Sequence, residues 1–192
     1  VESVGADAYT FSASALDRVR EAALKLPVGP SAGERLFLYR RTQPYGNARQ
    51  CVNMDKMANL ARRQGFRVIE PGSMTLEEQI AAFRDARIVI APVGAALVNL
   101  LFARRGCRIL CLAPVYEGAN YFYFSGLMEA LGHDLRYAIG PHVAGGANAH
   151  LYHRDYAVPL HAFHKGLQWA TSGGYARRPA KRDAEWPGEA HL

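Results

Sequence analysis

Two groups of residues in this sequence are suited to holding an anion. Gly94-Ala95-Ala96 follows the apolar run Ile88-Val89-Ile90-Ala91 and opens an expected helix. Residues with so little side chain let a ligand approach the backbone. The unpaired N–H groups at a helix start, with the positive end of its dipole, favour a phosphate. The dipole contributes only ~0.3–1 kcal/mol, so tight binding needs a cation as well. Arg40, at the end of the apolar stretch Arg35 to Tyr39, supplies a guanidinium that can clasp a phosphate through two hydrogen bonds. The competing use of a Gly-Ala-Ala turn is close packing of helix against strand. No GxGxxG follows the first strand and no Walker sequence is present, which argues against a standard dinucleotide or P-loop site.

Other residue groups carry weaker chemistry. His150 with His153, and His161 with His164, form two H-x-x-H pairs. Zinc needs three or four converging ligands and no cysteine joins them in spacing, so no metal is expected. Tyr121-Phe122-Tyr123-Phe124 offers faces for stacking on a base or sugar, although aromatic residues in a helix usually serve the core. Arg104-Arg105 at a helix end complements the dipole. The basic residues from Arg177 to Arg182 are diluted by Asp183, Glu185 and Glu189, as in a solvated tail.

The elements that must position the anion site alternate along the chain. Ser14 to Leu26 has helical spacing and ends at Pro27, and a Pro/Gly-rich turn or linker runs to Gly33. Arg35 to Tyr39 reads as a strand, and Asn53 as the cap of a helix through Arg63. Phe66 to Ile69 reads as the second strand. Thr75-Leu76-Glu77-Glu78 is a capping box, opening a helix with Leu76, Ile80 and Phe83 on one face. Ile88 to Ala91 has the continuous apolar character of a strand covered on both faces. The helix from the Gly94 turn is expected to end near Gly106, before a strand over Arg108 to Leu112. A helix over Asn120 to Leu131 and a strand over Leu135 to Ile139 follow. Ala144 to Ala149 reads as a loop, Leu160 to Ala170 as a last helix, and Thr171 to Leu192 as a disordered tail. This alternation predicts an α/β fold with a doubly wound, mainly parallel, Rossmann-like sheet. Its parts are residues 1–33 as N-terminal helix and linker, 34–170 as ligand-binding domain, and 171–192 as tail. Ligands of such sheets sit beyond the carboxyl ends of the strands, where Arg40 and Gly94 fall.

The chain has 192 residues, 49% hydrophobic and 21% charged, enough for one domain with a sizeable core. Its net charge of +6 is concentrated: residues 35–108 alone sum to +8. A basic centre points to an anionic ligand, with surface arginine as the plain alternative. Nucleic acid is not expected as a partner, because no basic run exceeds two residues and no nucleic-acid motif is readable. No stretch approaches the ~18–20 apolar residues of a membrane span. Cys107 and Cys111 would stand roughly 13 Å apart on a strand, too far for a disulfide. With Cys51 unmatched, reduced thiols and a cytoplasmic location are expected, including the periphery of the bacterial inner membrane. The start at Val1 suggests an excised or processed piece.

Residues 74–114, from Met-Thr-Leu-Glu-Glu-Gln-Ile through Ala-Pro-Val-Gly-Ala-Ala-Leu-Val-Asn to Cys-Leu-Ala-Pro, resemble glycosyltransferase family 61. The family includes bacterial capsular-polysaccharide enzymes, plant xylosyltransferases and an O-linked N-acetylglucosaminyltransferase. Its ordered motifs look like Leu36 to Arg40, Arg49, Asn53, Glu78-Gln79-Ile80 and Gly94 to Asn99. The resemblance covers about residues 35–114. It implies the C-terminal, donor-binding half of a two-domain GT-B glycosyltransferase, with a nucleotide sugar as substrate and a glycan as acceptor. The missing N-terminal domain, or a partner chain, would complete the enzyme. Gly94, Ala95, Ala96 and Asn99 would meet the diphosphate, Arg40 would neutralise it, and Arg49 and Asn53 would support the site or touch the donor. No metal cofactor is implied and no catalytic residue is assigned. Val93 stands where the family has histidine, and Cys111 where many members have glutamate. A non-catalytic nucleotide-sugar or phosphate-binding module is therefore the alternative, as is a fragment whose catalytic half lies elsewhere.

Overall fold

The computed structural model describes residues 11–41, 49–143 and 151–172. Five strands form one sheet: β1 Arg35–Leu38, β2 Arg67–Ile69, β3 Ile88–Pro92, β4 Arg108–Val115 and β5 Asp134–Pro141. All neighbours pair in parallel, in the order β2-β1-β3-β4-β5. The expected doubly wound α/β architecture is therefore present. Central β3 is buried along its whole length, as its uninterrupted apolar sequence requires.

Alternate residues of the strands feed two apolar layers. Leu36, Leu38, Val89, Ala91, Ile109, Cys111 and Ala113 face one side. Against them pack α3 Leu76–Phe83, the segment Ala95–Phe102 and α4 Phe122–Ala130. Phe37, Ile88, Ile90, Leu110 and Leu112 face the other side, covered by α2 Met54–Arg63 and α5 Leu160–Thr171. The first helix, α1 Ala13–Leu24, buries no residue fully, yet Leu16 and Ala23 rest on the first layer, as do Val28 and Ala32 of the following turn. Asp17 of α1 also pairs with Arg105. No helix among the described residues is long and apolar enough to cross a membrane.

Local signals place most boundaries within two residues. Thr75 accepts from Glu78 N, and the Glu78 carboxylate accepts from Thr75 N at 2.8 Å, completing the capping box. Gly65, at φ 77, lets the chain leave α2 and enter β2. Three expectations are corrected. The helix after Gly94 is a 3-10 helix that ends at Phe102 and does not reach Gly106. Its buried Leu97 and Leu100, with Ala103 just beyond, recur every third residue, the period of the tighter helix. Leu76 does not join Ile80 and Phe83 inside but stands 56% exposed in the first turn of α3. Asn53 precedes α2 but its side chain makes no cap hydrogen bond. Residues 1–10, the expected 144–149 loop, His150 and the tail beyond residue 172 lie outside the described residues.

Candidate functional site

The sheet order decides what meets at its carboxyl edge. From β1 the chain moves to one side, to β2, and then crosses back to β3 on the other side of β1. The reversal makes the β1–β3 boundary the topological switch point, the place where open α/β sheets leave a crevice. Arg40 leaves β1 there, and Gly94 leaves β3. A Cβ built on Gly94 would lie 3.5 Å from Arg40 Nη1. A guanidinium thus rests against a backbone turn that has no side chain, and the first amides of the 3-10 helix follow at Ala95 and Ala96. Ala96 and Asn99, three apart on a 3-10 helix, eclipse one another and are both half-buried.

Arg40 also lines a cavity of about 310 Å³ beside the start of α2, together with Tyr39, Gln50, Val52, Met54 and Asp55. Tyr39 Oη donates to Asp55 Oδ1 at 2.6 Å, and that hydrogen bond raises the tyrosine pKa. Arg41 turns outward to Glu70, with 2.7 Å between Nε and Oε2.

Arg49 lies beneath the turn and is 1% exposed. Its Nη2 donates to the Val93 carbonyl at 3.0 Å, so it holds the residue that leads into Gly94. Asn53 is committed to the fold. Its Nδ2 donates to Val158 O at 2.7 Å, and its Oδ1 accepts from Val158 N at 3.2 Å. Val93 N donates to Leu112 O at 2.9 Å and its side chain packs in the first apolar layer. Cys111 is buried mid-sheet, opposite Ala91 and Tyr137, and burial pushes its thiol pKa up. Neither side chain reaches the open edge.

A second part of the edge was not legible beforehand. Residues 155–158 run between the segment after β1 and the end of β5. Tyr156 N donates to Gln50 O, Val52 N to Tyr156 O, and Gln50 N to Asp155 Oδ1 at 2.8 Å. On the other flank Ala157 N donates to Pro141 O and Val143 N to Asp155 O. Tyr156 Oη donates to Leu112 O at 2.8 Å and is fully buried. Tyr116 and His142, each one residue past the end of its strand, stack at 5.3 Å with 18° between the rings. The signal that could have found them is the rule that placed Arg40 and Gly94, applied to β4 and β5 as well.

The remaining sequence candidates do not converge here. His153 ends a short 3-10 turn and His161 and His164 lie on α5. Among the described residues no three His, Cys, Asp or Glu side chains are grouped to hold a metal. Of the aromatic run, Phe122 is 70% exposed, Phe124 packs on the first layer, and Tyr121 donates its hydroxyl to Pro114 O.

Residues 6–110, more than half of the chain, match the family model of Glycosyltransferase 61. The match spans Arg40, Arg49, Asn53 and the Gly94 turn and ends inside β4. No curated protein matches the chain.

Proposed function

Because the chain belongs to glycosyltransferase family 61, we propose that its carboxyl edge binds the diphosphate of a nucleotide sugar for transfer of the sugar to a glycan acceptor. The observation that carries this reading is the Arg40 guanidinium beside the Gly94 turn at the switch point, where its Nη1 would stand 3.5 Å from a Cβ on residue 94. Sugar transfer leaves a nucleoside diphosphate with an additional negative charge. Arg40 and the amides at Ala95 and Ala96 are fixed donors that offset this charge without a metal ion. Arg49 supports the turn from below, and Asn99 borders it. The cavity beside Arg40 has hydrogen-bonding groups on Tyr39, Gln50 and Asp55 and apolar surface on Val52 and Met54, a mixture suited to one of the donor's sugar rings.

In this reading residues 34–170 form the donor-binding domain, α1 and its linker buttress it, and a second domain or chain supplies the acceptor site and catalytic base. The observation favouring a non-catalytic module instead is the burial of Val93 and Cys111. Donor hydrolysis or transfer by the full-length gene product separates an enzyme from a module.

Binding is tested by thermal shift with UDP, GDP, CMP and their sugars. A ligand at ~100 times its Kd adds about 2.7 kcal/mol, or roughly 5–10 °C for a chain of this size. Arg40→Ala is expected to weaken binding by roughly tenfold or more, read as a smaller ligand-induced shift from the variant's own unliganded Tm. Absence of stabilisation by every compound overturns the reading. Binding untouched by Arg40→Ala moves the site elsewhere.

A further inference from the structure

The nucleotide-sugar reading leaves one group at the carboxyl edge without a role. His142 Nε2 is buried and has no hydrogen-bond partner among the described residues. A buried polar atom without a partner is costly, and native folds keep few of them. The ring stacks on Tyr116, and the His142 backbone bridges to Tyr156. Both neighbours belong to the wall that continues the edge beyond β3.

We propose that His142 is a proton-dependent arm of the donor site, taking up a proton from solvent when the esterified diphosphate binds and donating Nε2–H to that anion. This rests on the nucleotide-sugar reading and adds a residue and a pH dependence to it. Burial keeps the His142 pKa below its usual value, and the nearby Arg154 and Arg49 guanidiniums lower it further. The same charges favour the neutral ring, and in the tautomer with its proton on Nδ1 the lone pair at Nε2 repels an anion. Protonation turns that nitrogen into a charged donor.

The ring stacks on Tyr116 from the end of β4, the His142 backbone bridges to Tyr156, which pairs in turn with Cys51, and the charges acting on the ring are those of Arg154 and Arg49. Burial raises the Cys51 thiol to about 11 and also raises the Tyr156 phenol, so both stay neutral near pH 7. One Asp155 carboxylate oxygen is engaged by Gln50 N–H. His142 is therefore the group of this cluster whose charge changes near neutrality. A bound anion offsets the repulsion from Arg49 and Arg154 and raises the histidine pKa in the complex. By linkage, the ligand then binds more tightly as pH falls from the bound-state pKa toward the lower pKa of the free protein.

The test uses UDP-glucose and GDP-mannose. Their diphosphates are esterified at both ends and do not titrate near neutrality, so any pH dependence belongs to the protein. Calorimetric titration in buffers of different ionisation enthalpy counts the protons taken up. For the wild-type chain we expect roughly half to one proton per ligand near pH 6.5, and about three- to tenfold tighter binding at pH 5.5 than at pH 7.5. His142→Phe keeps the stack on Tyr116 and is expected to abolish both effects, and His142→Gln should bind with a flat pH profile. Binding without proton uptake, or uptake that persists in His142→Phe, overturns the role of His142 and leaves the donor reading standing. If neither compound binds at any pH, both fall together.

Discussion

Asn53 shows how one side chain can belong to a site by sequence and to the scaffold by structure. It stands where a helix cap is expected, but its amide forms a two-hydrogen-bond clasp with the backbone of Val158, 105 residues away. That clasp ties the start of α2 to the 155–158 segment, so its influence on a ligand runs through the shape of the edge. Asn53→Ala leaves the Val158 N–H and C=O without these partners and is expected to cost roughly 1–3 kcal/mol. Asn53→Asp keeps the acceptor but sets a carboxylate oxygen against the Val158 carbonyl, so it should cost at least as much as Asn53→Ala. Urea denaturation of the three proteins measures the series, and equal stability of all three would remove the clasp from the scaffold.

At the scale of elements, the 155–158 segment depends on a glycine in β5. A Cβ on Gly140 would lie 1.9 Å from the Ala157 carbonyl oxygen and 2.6 Å from its carbon. Backbone cannot yield as a side-chain tip can, so Gly140→Ala must displace the segment that frames the site. The expected cost is roughly 2–4 kcal/mol in urea denaturation. Gly72→Ala is the control: its Cβ meets nothing within 4 Å, and its effect should stay within about 0.5 kcal/mol. The 3-10 helix teaches a related lesson. Ala95 to Phe102 is rich in good helix formers, which reads as α-helix from propensity. Its three-residue apolar spacing, set against the neighbouring layer, selects the tighter winding instead.

At the scale of the whole molecule, stability should fall with acid because of a histidine far from the site. His133 is 8% exposed just before β5 begins, at the amino edge of the sheet, with Nε2 2.9 Å from Leu100 O. Burial lowers its pKa from 6.5 to about 4, and the Arg20 and Arg105 charges act in the same direction. Above pH 6.5 the folded and unfolded chains are both neutral at this residue, and its native environment carries no penalty. Below 6.5 the unfolded chain binds a proton that the folded chain refuses, so stability falls until about pH 4, by roughly 3 kcal/mol in total. Denaturation at pH 7, 5.5 and 4.5 measures the slope, and His133→Leu should flatten it. A wild-type slope unchanged in that variant would assign the acid sensitivity to other groups.

What the sequence determined by itself was local. Apolar runs marked the strands, a capping box marked α3, Gly65 marked an exit, and Arg40 and Gly94 stood at strand ends where ligands are held. These signals depend on neighbours within a few residues, and such periodicities survive any strand order. The tertiary structure alone decided that β1 lies beside β3, which places Arg40 against Gly94. It also drew residues 155–158 into the gap beside Gln50 and Pro141, sank Arg49 under the Val93 carbonyl, and brought His142 beside Tyr116. Each of these contacts closes a long stretch of chain, so it is settled by how the layers pack as a whole and not by any window of sequence.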